Sequence, residues 1–198
     1  MRISLIIPTI WRSTLSRAVK SAVQEARKGD QIIIVGDGPG LWDDPLWDSP
    51  RPAPGVLIIV EHLPQRVGDY GCSACDHGIK VATGDYVFFL GDDDYLAPGA
   101  FDIIRKGIAE EPGLPHLFAM QHTYQILCGT LDCGAVSGQQ IVVPRDMAKM
   151  PKMANFPPGE LNISDWRFIK NVEEAWGKIV MHEEIISILP KMNQGRML

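Results

Sequence analysis

The 198 residues carry 19 Lys and Arg against 24 Asp and Glu, for a formal net charge of −5, with 45% hydrophobic and 22% charged residues, 19 Gly and 15 Pro. This balance excludes disorder, collagen and coiled coil, and it suits one domain or one compact two-lobed unit with a real core. A mildly acidic chain without a Lys/Arg block also lacks the footprint of a nucleic-acid or anionic-membrane binder, although a local basic site for a small phosphate ligand is compatible with it.

Ile3 to Ile7 and Gln31 to Val35 are short β-branched runs that predict strands. Between them Leu15, Ala18, Val19, Ala22, Val23 and Ala26 recur at helical spacing, with Ser13 as N-cap and Gly29 as the stop. Continuous apolar strands of this kind predict a parallel sheet covered on both faces. A Pro/Gly/Trp-rich stretch from Pro39 to Gly55 reads as an irregular loop before a third strand, Val56 to Val60. A helix follows across Cys72 to Ala82, stopped by Gly84, then a strand from Tyr86 to Leu90. Pro98 is expected to open a helix carrying Phe101, Ile104 and Ile108.

Beyond Gly113 the pattern loosens: Leu117 to Met120 and Gln140 to Val143 predict strands, Asp165 to Ala175 a helix, and Lys178 to Leu189 one or two strands. The chain therefore divides softly into residues 1–96 and 97–198, the second half packed on the sheet of the first. No apolar stretch approaches the roughly 18 residues of a membrane span, and the N-terminus reads as strand rather than signal peptide, so a cytoplasmic address is expected.

Ligands of an open α/β sheet bind beyond the carboxyl ends of its strands. Those ends are Pro8-Thr9-Ile10-Trp11-Arg12, Gly36-Asp37-Gly38-Pro39-Gly40 and Gly91-Asp92-Asp93-Asp94-Tyr95. A carboxylate cluster, a lone carboxylate, and an aromatic with a guanidinium suit a divalent metal and a nucleotide. Three adjacent carboxylates are costly unless water solvates them or a cation neutralises them, and their place at the end of a buried strand favours the cation, Mg²⁺ or Mn²⁺. Asp37 also fits an ordinary Asp-Gly turn. The glycines around it do not satisfy GxGxxG and no helix start follows them, which argues against NAD or FAD.

Three blocks resemble the glycosyltransferase family 2 type of nucleotide-sugar transferase, with its GT-A fold. Ile6 to Arg12 with Leu15, Ala18, Ser21 and Gln24 resembles the family's opening strand and helix; Val35 to Gly38 resembles its second strand end; Gly78 to Tyr95 resembles the segment leading into its DxD metal motif. The resemblance implies an α/β fold with a mostly parallel central sheet flanked by helices in a single compact unit, residues 1–96 binding the donor and 97–198 the acceptor. It implies that Pro8, Thr9, Trp11 and Asp37 form the base pocket, that Arg12 and Arg66 meet the phosphates, that Asp92 lies near the ribose, and that Asp92, Asp93 and Asp94 share the metal, with Asp93 leading. Asp165, in the segment Ser164 to Ile169, is implied as the general base; read without the resemblance it fits equally a favoured carboxylate at a helix start. The chain departs from the family's pattern at Cys75-Asp76, at Gly91 and at Ser164.

The implied activity is a metal-dependent, inverting glycosyltransferase of the hexosyltransferase type, using a nucleotide sugar, most readily a UDP-sugar, and an acceptor hydroxyl, carbohydrate or other. Its rivals are a retaining enzyme of the same fold, a non-catalytic nucleotide- or carbohydrate-binding module, and a zinc-stabilised interaction domain. The zinc reading rests on Cys72, Cys75, Cys128 and Cys133, whose first pair falls on one helix stripe and reads more simply as small buried hydrophobes. His182 is a further metal-ligand candidate, and Trp42 and Trp47 are either core anchors or a lip over the donor site.

Overall fold

Alternation along β1 (Ile3–Thr9) defines two faces: Ile3, Leu5 and Ile7 join one buried cluster and Ile6 the other. The computed structural model describes residues 1–40, 52–123, 125–155 and 163–190; Trp42, Trp47 and Glu160 lie outside these. The first face is covered by α1 (Leu15–Glu25) through Leu15, Ala18, Val19 and Ala22, and by α3 (Ala100–Glu110) through Phe101, Ile104 and Ile108. The second is covered by α2 (Cys72–Val81) through Cys75 and Ile79, and by α4 (Ser164–Trp176) through Phe168, Ile169 and Val172. Fully burying one such aliphatic or aromatic side chain contributes about 1.5–3 kcal/mol, so the two layers hold the sheet between them.

The strands in chain order are β1, β2 (Gln31–Gly36), β3 (Leu57–His62), β4 (Tyr86–Phe89), β5 (Tyr95–Leu96), β6 (His116–His122), β7 (Gln125–Leu127), β8 (Ile141–Pro144) and β9 (Val180–Leu189). They form one sheet in the order β3-β2-β1-β4-β8-β6-β9-β5, with β7 added beside β6. The first four are mutually parallel. Antiparallel β8 joins β4 to β6, β9 runs parallel to β6, and β5 and β7 add antiparallel edges. This is the α/β architecture expected from the sequence, with a parallel first part and a mixed remainder.

Boundaries differ locally. Thr14, not Ser13, stands at the N-terminus of α1 and makes no side-chain cap, while the helix ends at Glu25, before Gly29, which turns at φ 94° in the loop beyond. Gly99 at φ 79°, not Pro98, enters α3. Gln140 ends a short 3₁₀ turn, Gly138–Gln140, rather than starting β8. Strands of two or three residues, β5 and β7, carry no readable alternation and are seen only in the fold.

Candidate functional site

Register pairs Thr9 with Gly36 and Ile6 with Phe89, so the carboxyl ends of β1, β2 and β4 open side by side. The Asp37 amide donates to the Thr9 carbonyl at 2.7 Å, which continues the ladder one step past the strand ends. The Asp37 carboxylate, 6% exposed, accepts the Val67 amide at 2.7 Å and the Gly68 amide at 2.9 Å. It thereby pins the segment bearing Arg66 over the cleft. Gly38 permits the same approach: at φ 89°, a Cβ there would stand 2.8 Å from the Arg66 nitrogen.

Pro8, Thr9, Arg12, Asp37, Arg66 and Asp92 line one cleft of about 430 Å³, together with Tyr70, Asp93 and Gln139. Trp11 is not among its lining residues. At φ 66° its amide donates to the Thr9 hydroxyl at 2.8 Å and its indole Nε1 to the Gly38 carbonyl at 3.1 Å. The ring instead covers Gly36 and Gly40, where a Cβ would come within 2.3 Å and 1.9 Å of it. Trp11 thus packs on the Gly36 to Gly40 backbone that flanks Asp37.

The three consecutive aspartates part company. Asp92, 4% exposed, turns to β1: its Oδ2 accepts the Thr9 hydroxyl at 2.7 Å and the Ile10 amide at 3.3 Å, and its Oδ1 meets Arg12 Nη1 at 2.9 Å. Burial raises its pKa, and Thr9 and Arg12 oppose that rise. Asp93 faces the cleft, its Oδ2 3.2 Å from the same Arg12 nitrogen. Asp94 is 1% exposed and neither carboxylate oxygen has a hydrogen-bond partner. Burial first, then the Asp93 charge, push it up to about 7; the Gln139 amide beside it offsets part of the rise without normal hydrogen-bond geometry. Above Gly91 the space is full: a Cβ there would sit 2.6 Å from Asp94 Oδ2, 2.9 Å from Gln139 Nε2 and 3.1 Å from Asp93 Oδ1.

Asp93 and Gln139 also line a second cleft of about 340 Å³, with Asp94, Ser137, His122 and Asp165. Asp165 lies in the first turn of α4 but makes no cap there; its Oδ2 accepts the Gly138 amide at 2.9 Å, with the Ser137 hydroxyl at 3.4 Å. Gln139 and Tyr70 escaped the sequence reading. Gln139 owes its place to Gln140, which is fully buried, donates at 2.9 Å to both the Phe118 and Leu127 carbonyls, and accepts the Ser137 amide at 2.8 Å. Neutral amides in a stretch without periodicity give no sequence signal. Tyr70 is 81% exposed at φ 55°, between Gly68 and Gly71, on the rim of the first cleft.

Two alternative metal readings find no support among the described residues. Cys72 and Cys75 are buried in the second core cluster while Cys128 and Cys133 are exposed, and no three His, Cys, Asp or Glu side chains among the described residues converge as a metal cage. Burial raises the Cys72 thiol to about 12 and the Cys75 thiol well above its ordinary value, so both stay protonated apolar fillers. His182 points not at the cleft but into the packing of β6, β9 and α3, where its Nε2 meets His116 Nδ1 at 2.9 Å and its ring stacks 4.3 Å from that of Phe118. Asp76, at one of the departures from the family's pattern, accepts the Met153 and Ala154 amides at 2.7 and 3.1 Å and so anchors that segment.

The parallel strands β3-β2-β1-β4, flanked by helices and with carboxylates and guanidinium groups gathered at their carboxyl ends, fit the nucleotide-diphospho-sugar transferase (GT-A) class, as the comparisons bear out. The Glycosyl transferase family 2 model matches residues 4–113, more than half of the chain, and the chain belongs to that family. A search of the curated proteins finds no match. Among solved structures, S. aureus TarS 1-349 superposes with a TM-score of 0.74 at 15% identity, over 96% of this chain and 60% of that one. The same protein in complex with UDP-GlcNAc gives 0.73 at 15%, over 96% and 59%. The mannosyltransferase PcManGT from Pyrobaculum calidifontis, in complex with GDP-Man and Mn²⁺, gives 0.65 at 10%, over 96% and 58%. This chain thus spans about three-fifths of the length of these chains, and 37% of the longer S. aureus TarS chain. Among the described residues no helix is long and apolar enough to cross a membrane.

Proposed function

We propose that this protein is a glycosyltransferase that moves a sugar from a nucleotide-sugar donor, a UDP-sugar, to an acceptor hydroxyl with inversion of the anomeric centre, using Mn²⁺ or Mg²⁺. The observation that carries the reading is the meeting of two clefts at Asp93 and Gln139, one bearing Asp37, Arg12 and Arg66, the other bearing Asp165. Membership of the family and the nucleotide sugars bound by the structural relatives support the donor class.

The metal fits the residues present. Asp94 is a buried carboxylate with both oxygens unpartnered, and Asp93 is a half-exposed carboxylate beside it. Mg²⁺ and Mn²⁺ characteristically take one or two carboxylates and complete their shell with phosphate and water, so the lack of a fuller cage among the described residues is consistent with them. Asp93 and Asp94 would hold the ion, and when bound it would offset the charge that develops on the departing diphosphate.

The protein's own groups supply the rest. Asp37 and the pinned 66–68 segment frame the base, with Arg66 and Arg12 available to the diphosphate as bidentate donors. Asp165, on the opposite side of Asp93, takes the acceptor's proton as its oxygen attacks. Its Oδ2 is oriented by Gly138, which leaves Oδ1 for the hydroxyl. Positioning and fixed charge carry most of the rate in such a displacement.

Thermal melting with nucleoside diphosphates and their sugars, with and without Mn²⁺, tests the reading. UDP is expected to raise Tm and Mn²⁺ to enlarge the rise, since a ligand of the folded state stabilises it. Asp93→Ala should abolish the metal-dependent part. Donor turnover with an inverted product anomer is expected; UDP binding without any turnover would instead support a binding module, and a retained anomer a retaining enzyme.

A further inference from the structure

Arg12 makes one contact that belongs to two different carboxylates. Its Nη1 stands 2.9 Å from Asp92 Oδ1 and 3.2 Å from Asp93 Oδ2, and the two partners are unequally anchored. The Asp92 side chain is 5% exposed and also holds the Thr9 hydroxyl and the Ile10 amide. The Asp93 side chain is 39% exposed, and among the described residues its carboxylate has Arg12 as its only hydrogen-bond partner. Its backbone is held separately, because Arg17 donates to the Asp93 carbonyl. Asp93 can therefore change partner without moving its main chain, while Asp92 keeps Arg12 close by.

Resting on the donor reading above, we propose that Arg12 is a positioning residue that acts as an exchangeable counter-ion: it occupies Asp93 in the free protein and gives it up to the metal only when the donor's diphosphate arrives. A divalent cation binds a carboxylate oxygen at about 2.1 Å. With Arg12 on that same oxygen, metal and guanidinium repel, so the ion alone meets an occupied and unfavourable site. The diphosphate reverses this. It offers Arg12, on the wall of the same cleft, a bidentate partner of higher charge, and it offers the ion oxygens of its own. Arg12 turns from Asp93 toward phosphate while retaining Asp92. Metal and nucleotide then bind as a coupled pair, and by linkage each strengthens the other by the same factor.

Isothermal titration measures Mn²⁺ alone, UDP alone, and each in the presence of the other, for the wild type, Arg12→Gln and Arg12→Lys. In the wild type Mn²⁺ is expected to bind at least about fivefold more tightly when UDP is saturating. Arg12→Gln should bind Mn²⁺ without nucleotide about two- to fivefold more tightly than the wild type, the range for losing one part-exposed cation beside the ligand, and its coupling to UDP should shrink by the same factor. A gain in affinity cannot come from impaired folding. Arg12→Lys keeps the charge and should keep most of the coupling. Equal or weaker Mn²⁺ binding by Arg12→Gln would overturn the proposal, as would a wild type that binds UDP but whose Mn²⁺ affinity ignores it. Absence of UDP binding in every variant would instead overturn the donor reading, and the Mn²⁺-only comparison would still decide the role of Arg12.

Discussion

A carboxylate between two glycines is compatible with a simple turn, and only its partners decide what Asp37 does. Both of its oxygens accept backbone amides, from Val67 and Gly68, so it fastens a loop from the other side of the cleft rather than closing its own. Asp37→Ala leaves two amides without acceptors and frees the segment that carries Arg66. It should weaken UDP binding by about 1–3 kcal/mol and lower Tm, while the dependence on Mn²⁺ persists. Calorimetry with UDP checks the first effect, and unchanged affinity would reduce Asp37 to a structural clasp. At this scale Arg12, Asp37 and Asp92 to Asp94 were legible because strand ends announce themselves, an apolar run stopping and Asp or Arg following, whereas Arg66 and Asp165 stood out only through the family resemblance. Trp11 was legible as a site-adjacent aromatic but not in its orientation, since nothing in a linear pattern says that its ring will lie on Gly36 and Gly40. Gln139 was illegible for the opposite reason, having neither charge nor periodicity.

Among the elements, β1, β2, β4, α1 and α2 follow from apolar runs and 3.6-residue stripes because each buries residues in a core cluster, while the edge strand β3, only partly buried, follows from its β-branched run. The later ones depend on contacts distant in sequence. Strands β6 and β9 meet α3 through His116, His182 and Gly107, where a Cβ on Gly107 would stand 2.8 Å from the His182 ring. His116 Nε2 lies 3.1 Å from the Glu111 carbonyl and must donate to it, so Nδ1 is the acceptor and His182 Nε2 the donor. That arrangement has both imidazoles neutral, the form that the lowered pKa of each favours. Burial first, and then the neighbouring His182, lower His116 to about 4, and burial lowers His182 against the pull of Glu184, Glu110 and Glu111. The unfolded chain takes up a proton near pH ~6.5 that folded His116 refuses until about pH 4. The stability is therefore intact above pH ~6.5 and declines as pH falls through the window down to about 4, by up to about 1.4 kcal/mol per pH unit for one such group. Asp94, raised to about 7, acts in the opposite sense over the same window, so Tm measured from pH 7.5 to 5 should fall in an Asp94→Asn background. His116→Gln, which keeps a donor for Glu111 and an acceptor for His182, should flatten the decline; an equally steep decline in that variant would assign it to other groups.

Across the whole molecule the catalytic proposal depends on how two halves of the chain share one sheet. Strand β8 carries the connection, pairing with β4 on one side and β6 on the other, and the 3₁₀ turn just before it presents Gln139 to both clefts. The same turn gives Asp165 its oriented oxygen through the Gly138 amide, so α4 is fixed relative to Asp93 by a contact 27 residues long in sequence. An inverting displacement requires a base on the face opposite the leaving diphosphate, and Asp165 lines the cleft beyond Asp93 while the residues proposed for the nucleotide line the other. Glu173 is paired with Lys170 and, like Glu174, lines neither of these clefts. Asp165→Asn keeps the size and an oxygen for Gly138 but loses the basicity. It should lower turnover by about 10²–10⁴-fold with UDP affinity and Mn²⁺ dependence nearly unchanged, because the donor side is built from other strand ends. Glu173→Gln and Glu174→Gln should retain near-normal turnover in parallel assays. A correctly folded Asp165→Asn protein turning over within threefold of the wild type would remove Asp165 as the base, and the anomer of its product would then tell whether the reaction needs one.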